Sequence, residues 1–426
     1  MGPPGRFRAV GVLLTRRCPV CEGTSGTVIH RMTFLAPKEL HAPDAVDIAS
    51  CDRCGACFSD LPVTQSAVDD AYRDHSKYAD TSLYDGGEQP GDEPSDRVDA
   101  PPPTDAPWDL TRLAGTARWL ADHVPTSGRV LDAGCASGAL LGFLLAEGFT
   151  DIAGLDPSTG ATALARANHG VPVWTGSFLD PPPDLGTFDV VVLSHTLEHL
   201  VDVRAAIRGM WSLTRPGGHV YIEVPDASRY ADHLVAPFND FNTEHINHFS
   251  PQVLRLAMEL QGFETTCLET KEVLCSPTDP YPAVYGLFRR PDQPRRAPEI
   301  VPDTTLAEAL RRYVEASTRL LEDMAAHVRR SAAGRAVVVW GAGQLAMKLL
   351  AGPLDGIEVR ALVDTSSNKW GQHFGDLVVS APDDLRAGHL GVDDAPVLVT
   401  SVHHERSIQD TIRRADPARS IILLRP

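Results

Sequence analysis

The chain has 426 residues, of which 43% are apolar and 22% charged, an ordinary composition for a globular protein. At ~150 residues per domain, that length allows two to four domains. The 39 Lys+Arg against 56 Asp+Glu leave a net charge of −17, which argues against nucleic acid as the main partner because backbone binding needs a cationic face.

The longest apolar run near the start, Ala9 to Leu14, is too short for a signal sequence or a membrane span. Arg16 and Arg17 follow that run, the wrong order for a twin-arginine signal. The reading is a cytoplasmic protein with no membrane partner, whose 8 cysteines are thiols or metal ligands. Five of them fall before residue 60. Cys18-Pro-Val-Cys21 and Cys51-Asp-Arg-Cys54-Gly are two C-x2-C pairs, and four thiolates satisfy a tetrahedral Zn2+ with no open position. The 29 residues between Cys21 and Cys51 fit a small ribbon with an inserted hairpin. The spacing predicts a structural zinc, with buried free thiols as the alternative and Cys57 as a spare. Residues 86–107 are rich in Pro, Gly and acids and cannot bury a core, so they read as a linker.

An αβ alternation follows. Helix patterns at Leu110–Val124, Ala139–Glu147, Thr159–Asn168 and Val203–Thr214 separate strand patterns at Arg129–Asp132, Ile152–Asp156, Val171–Trp174, Phe188–Ser194 and His219–Val224. Pro216-Gly217-Gly218 reads as a break before the last of these. Strands separated in this way predict a mainly parallel, doubly wound sheet. Within it, Arg129-Val-Leu-Asp-Ala-Gly-Cys-Ala-Ser-Gly138 runs from strand to helix, and its glycines let the backbone approach a ligand. Asp156, 24 residues after Asp132, ends the next strand where ribose hydroxyls would lie. That spacing alone suits a dinucleotide as well as S-adenosylmethionine.

Thr243-Glu244-His245-Ile246-Asn247-His248-Phe249-Ser250 is rich in proton-handling groups. A neutral His takes a proton near pH 7, and a neighbouring carboxylate orients it. Ser250-Pro251 reads as the cap of a helix running to Leu260, and packing is the alternative role for the histidines. A metal pair of Glu244 with His248 is a further alternative. Beyond a Pro-rich break at Arg289–Asp303, Thr305-x-x-Glu308 reads as a capping box that opens a long helix. A second αβ alternation begins at Ala336–Trp340, with Gly341-Ala342-Gly343 opening a helix and Asp364 ending the next strand. G-x-G alone is a weak nucleotide signal. His403-His404 reads as a loop pair, facing a ligand or merely exposed.

VLDAGCASG, GLDPS, FDVVVLSHTLEHL and RPGGHVYIEVP resemble the successive motifs of class I S-adenosylmethionine-dependent methyltransferases, over roughly residues 110 to 270. Ala136 stands where that family often has glycine. The resemblance implies that Asp132, Gly134, Ala136 and Gly138 line the methionine side and that Asp156 takes the ribose. It also implies that Gly176, Ser177 and Phe178 border the adenine and that Ser194 and His195 lie beneath the sulfonium. The whole layout resembles the zinc-containing nucleotide-sugar C-methyltransferases of antibiotic deoxysugar pathways, which methylate C-3 of a dTDP-linked 4-keto-6-deoxy sugar. In that family a Tyr-x-Glu-His segment supplies the base. Glu244 and His245 match it, Asn242 replaces the Tyr, and Tyr72-Arg-Asp-His-Ser-Lys-Tyr78 is a loose counterpart of an aromatic stretch after the zinc module.

The resulting division is a zinc-binding module at 1–85, a linker at 86–107, an S-adenosylmethionine-binding domain at 108–290, and a helix with a Rossmann-like block at 291–426. The expected activity is C-methylation of a nucleotide-linked keto-sugar. O- or N-methylation of another small molecule is the alternative.

Overall fold

The computed structural model describes residues 11–40, 43–65, 107–276, 278–293, 295–386, 390, 392 and 394–425. The expected linker up to residue 106 and the Tyr72–Tyr78 segment lie outside these residues. No helix among the described residues is long and apolar enough to cross a membrane.

The N-terminal unit is an antiparallel meander of β1 (Gly11–Leu13), β2 (Ser25–Thr33), β3 (Ala45–Cys51) and β4 (Cys57–Asp60). Cys18 and Cys21 sit in the β1–β2 connection, and Cys51 and Cys54 flank the β3–β4 turn. That turn needs glycine. Gly55 has φ +77°, and a Cβ there would lie 2.1 Å from the Asp303 carbonyl oxygen.

In the central unit, β5 (Arg129–Ala133), β6 (Asp151–Asp156), β7 (Val173–Thr175), β8 (Phe188–Ser194) and β9 (Thr214–Pro225) are parallel. A two-residue strand, β10 (Asn247–His248), is followed by the helix Pro251–Leu260, β11 (Glu264–Leu274) and β12 (Pro280–Arg289). The order is β11-β12-β9-β8-β5-β6-β7, with β12 antiparallel to both neighbours. The apolar runs of β5 and β8 are buried on both faces, as a central parallel sheet requires. The strand order reverses between β5 and β8, and the crevice at their carboxyl ends is where such sheets bind ligands.

Two local expectations change. Pro216-Gly217-Gly218 does not precede its strand but lies within it, because Thr214 already pairs with Phe188 and the register slips before Val190. The long helix Thr304–Ala332 is capped by Asp303, not Thr305. The Asp303 Oδ1 accepts from Thr305 N at 2.9 Å and Leu306 N at 3.2 Å, and a carboxylate suits the positive helix end better than a hydroxyl does.

The C-terminal block has β13 (Val337–Trp340), β14 (Val359–Val363), β15 (His373–Phe374), β16 (Leu377–Ser380), β17 (Val397–Val399) and β18 (Ile421–Leu423), in the order β15-β16-β14-β13-β17-β18. All are parallel except the β15–β16 hairpin. The three units are not beads on a string. β10 from the central unit pairs antiparallel with β4, so the N-terminal sheet takes its fifth strand from residues just after His245.

Candidate active site

The loop after β5 turns on three left-handed residues, Gly134 (φ +85°), Ala136 (φ +45°) and Gly138 (φ +89°). A Cβ at Gly138 would meet the Ala165 Cβ at 2.9 Å, so only glycine lets the helix start there. Ala136 N donates to Asp156 Oδ2 at 2.9 Å, and Ser158 N donates to Oδ1 at 2.9 Å. Asp156 thereby ties the end of β6 to the glycine loop. Asp132 is buried at 4% exposure. Burial, with the like charge of Asp156 adding, pushes it up to about 7. The fold thus brings Asp132, Gly134, Ala136, Gly138 and Asp156 to one edge. Ser177 folds its hydroxyl onto its own turn, accepting from Leu179 N at 3.1 Å. The Phe178 ring is 7% exposed and belongs to the core.

Ser194 and His195 end β8 beside this loop. His195 takes φ +49°. Its Nε2 lies 3.2 Å from Glu223 Oε1 and its Nδ1 lies 3.4 Å from Glu198 Oε1. Burial opposes a charge on this ring, but the two carboxylates outweigh it and raise its pKa. Glu223 is wholly buried. It accepts from Tyr221 Oη at 2.7 Å, Lys271 Nζ at 2.7 Å and Thr116 Oγ1 at 3.2 Å. Arg112 stands 3.7 Å away and donates to Ser194 Oγ at 2.7 Å. A buried carboxylate is tolerated when it is paired this fully, and Glu223 titrates well below its ordinary value. Sequence reasoning missed Arg112, Glu198, Glu223 and Lys271. One signal was available, a lone acid inside the apolar strand run Val220-Tyr-Ile-Glu-Val224.

His245 lies across the same edge. Its ring meets the His199 ring edge-on, with centroids 4.9 Å apart, and ligand atoms of Glu198, His199 and His245 all lie within 4.8 Å of one another. Burial pushes His245 down to about 3, so the ring is neutral and in its base form near pH 7. The expected carboxylate partner is differently placed. Glu244 is exposed, whereas the buried acid facing His245 is Glu198.

Asn242 shows what stands in for the Tyr of the resembled segment. Its Oδ1 accepts from Glu244 N at 2.8 Å and from His245 N at 2.7 Å, an Asx turn that fixes the backbone bearing His245. Both outer units then grip the flanks. Ser59 N donates to Ile246 O at 2.9 Å, and Arg16 Nη2 donates to Ile246 O at 3.0 Å and Asn247 Oδ1 at 2.9 Å. Asn247 Nδ2 reaches Leu200 O at 2.7 Å, and Ile246 N donates to Glu198 O at 3.0 Å. From the C-terminal side, Gln344 Nε2 donates to Thr243 Oγ1 at 2.6 Å, and Lys348 Nζ donates to Phe238 O at 2.5 Å. His403 stands 3.5 Å from Asp279, so it is not simply an exposed loop residue. His248 is buried, its ring packed against Phe241 and Tyr230.

The four N-terminal cysteines converge and are buried. Sγ atoms of Cys18 and Cys54 are 3.5 Å apart, as are those of Cys21 and Cys51. A tetrahedral zinc with Zn–S of about 2.3 Å wants sulfurs about 3.8 Å apart, so the donor set fits one ion with small relaxation. Cys57 points away, its Sγ 3.5 Å from the Gly55 carbonyl oxygen.

Residues 110–268 match a family model described as a methyltransferase domain. These residues are a methyltransferase domain. The chain is 29% identical over 136 residues to an S-adenosylmethionine-dependent methyltransferase of Mycolicibacterium smegmatis, a match covering 32% of this chain and 51% of that protein. It is 34% identical over 102 residues to a ubiquinone biosynthesis O-methyltransferase of Vibrio parahaemolyticus, covering 22% of this chain and 42% of that one. The chain thus spans about half the length of the curated relatives it matches. Among solved structures, an S-adenosylmethionine-dependent methyltransferase from Methanosarcina mazei aligns with TM-score 0.35 and 16% identity, over 41% of this chain and 98% of that one. The methyltransferase domain is an enzyme domain of the S-adenosylmethionine-dependent class. It accounts for most of the central sheet, while the cysteine cluster and the C-terminal block lie outside the matched residues.

Proposed function

We propose that the protein transfers a methyl group from S-adenosylmethionine to a carbon next to a ketone, with His245 as the base and a nucleotide-linked keto-deoxysugar as the substrate. The observation that carries the reaction class is the neutral, half-buried His245, held from both sides and set against Glu198 and His199 at the carboxyl edge of the sheet. Oxygen and nitrogen nucleophiles have a lone pair ready to attack. Carbon does not, so a positioned base is needed, and general-base catalysis contributes ~10^2–10^4 in rate.

When bound, S-adenosylmethionine supplies an electrophilic methyl on a cationic sulfur. Asp156 and the glycine loop are the residues suited to its ribose and methionine ends, and Gly134, Ala136 and Gly138 leave the loop backbone open to it. His195, pinned between Glu198 and Glu223, and Ser194, pinned by Arg112, shape the floor of the cleft. His245 takes the proton alpha to the ketone, and the adjoining carboxylate of Glu198 stabilises the imidazolium that results. Asn242, Ile246 and Asn247 hold that ring at its station, and positioning of this kind can supply ~7–11 kcal/mol of a barrier.

The cysteine cluster is assigned one structural Zn2+. The sugar substrate rests on the resemblance of the whole three-part layout, in which the C-terminal block closes the far side of the cleft. A second reading, O-methylation, is favoured by the relative named as a ubiquinone biosynthesis O-methyltransferase. Product analysis by carbon NMR with labelled methyl donor separates the two. A C-methyl product together with a ~10^2–10^4-fold loss of turnover in His245→Asn, S-adenosylmethionine binding being retained, supports the proposal. An O-methyl product refutes it. Full activity in His245→Asn refutes the base assignment.

A further inference from the structure

We infer that Glu198, His199 and His245 also form a site for a divalent transition-metal cation of the zinc class, and that its occupation switches the enzyme off. The inference rests on the reading of His245 as the base. Two imidazoles and one carboxylate are a borderline-soft donor set that suits zinc, cobalt or nickel. Their ligand atoms lie within 4.8 Å of one another. Glu198 Oε1 is 3.9 Å from His199 Nε2, and metal–ligand bonds of about 2.0–2.2 Å would span that gap with small side-chain motion.

Three further observations point at a cation. Glu198 is 1% exposed, and its neighbour His195 Nδ1, 3.4 Å from Oε1, falls short of hydrogen-bond geometry, as does every other donor among the described residues. His245 Nδ1 is likewise buried without a hydrogen-bond partner. His199 Nδ1 lies 3.1 Å from the Glu244 carbonyl oxygen. That oxygen can only accept, so Nδ1 carries the proton, and in the neutral ring the Nε2 lone pair faces the carboxylate. A second-shell carbonyl that fixes the tautomer of a metal-binding histidine is a common feature of such sites. Three protein ligands leave a fourth position open toward the cleft.

The consequence for activity follows from electron counting. A neutral imidazole has one lone pair, whichever nitrogen holds it. A metal ion that takes the lone pair of His245 leaves the other nitrogen carrying its proton, so the ring cannot accept the substrate's. Metal and substrate proton therefore exclude one another at this residue.

The test uses the full chain with zinc in its cysteine site, titrated with Co2+. The expected result is one further equivalent of cobalt with weak ligand-field absorption and no thiolate charge-transfer band, with turnover lost in proportion to occupancy. Chelation of that equivalent restores turnover. Glu198→Gln and His199→Ala should each abolish the second equivalent, and a retained charge-transfer band in the fully cobalt-substituted variants shows that they are folded. Absence of the ligand-field signal overturns the inference. So does binding that survives both substitutions, or occupancy that leaves turnover intact. Should His245→Asn keep full activity, the base assignment falls, whereas the cobalt titration still reports on the site.

Discussion

Asn242 is the most informative residue to change, because the structure gives it one task. Its Oδ1 accepts from the backbone N–H groups of Glu244 and His245, and its Nδ2 donates to Asn239 O at 2.9 Å. Asn242→Ala deletes the two bonds that shape the turn and leaves the imidazole, the cysteine cluster and the glycine loop untouched. Each such bond is worth ~0.5–1.5 kcal/mol net, so the pair is worth roughly 1–3 kcal/mol. Thr243 and Ile246 are held separately by Gln344 and Ser59, which confines the loss to local order between those anchors. At ~1.4 kcal/mol per factor of ten, turnover should fall about 5- to 150-fold. The assay is initial-rate methyl transfer to a keto-sugar at saturating donor, with S-adenosylhomocysteine affinity and thermal midpoint measured alongside. Asn242→Asp keeps the acceptor oxygen and should recover most of the rate. Unchanged turnover in Asn242→Ala, or equal losses in the Ala and Asp variants, would refute the idea that this turn positions the base.

Three other outcomes are expected. Cys51→Ser, or zinc removal by a chelator, should lower the thermal midpoint and turnover together, because β4 pairs with the strand that follows His245; metal analysis and activity on one sample check this. Asp156→Ala removes the carboxylate proposed to accept from the ribose and frees the Ala136 and Ser158 amides, so calorimetry with S-adenosylhomocysteine should show affinity down about ten- to a hundredfold, from ~1.5–3 kcal/mol per charged hydrogen bond. Lys348, buried against Phe238, is pushed by that burial from 10.5 down to about 7. The folded chain therefore holds fewer protons than the unfolded one between those values, so stability should rise with pH from about 7 toward 10.5. Denaturant titrations of wild type and Lys348→Met should differ in that slope.

The central sheet was legible because its strands are apolar on both faces and separated by helices of ordinary length. The knuckles were legible because C-x2-C spacing is local. Asp156 was legible as the acid ending the second parallel strand. What escaped is the chemistry that only the fold assembles. Glu198 sits in the same Leu-Glu-His stretch as His199, yet nothing in its neighbours in sequence shows that it faces His245, 47 positions on. Arg112 comes from the helix Pro107–His123 and Lys271 from β11, far apart in the sequence, and only their convergence on Glu223 gives them meaning. Glu244 was singled out because it is adjacent to His245. Adjacent residues in a turn diverge, and the structure leaves its carboxylate exposed. Asp303 lost out to Thr305 in the sequence because a capping box reads as a pattern, whereas the actual cap is decided by where the chain leaves the Cys54 knuckle, through Asp303 N donating to Cys54 O at 3.0 Å.

The placement of charge in the cleft bears on the proposed removal of a proton by His245. Glu223 is matched by Lys271, Arg112 and His195 before any substrate arrives, so it acts as a fixed support and has little left to give during reaction. Glu198 is different. It is equally buried but carries no hydrogen bond among the described residues, facing His195 at 3.4 Å and His199 at 3.9 Å. Burial opposes its charge, but the imidazoles of His195, His199 and His245 outweigh that and hold its pKa down at about 2. When His245 takes a proton, a neutral ring beside that carboxylate becomes a cation, and the pair that forms did not exist in the ground state. An interaction that appears only as the proton moves is the kind that raises turnover without tightening substrate binding. The same desolvation that lowers His245 to about 3 makes that new ion pair stronger than it would be in water.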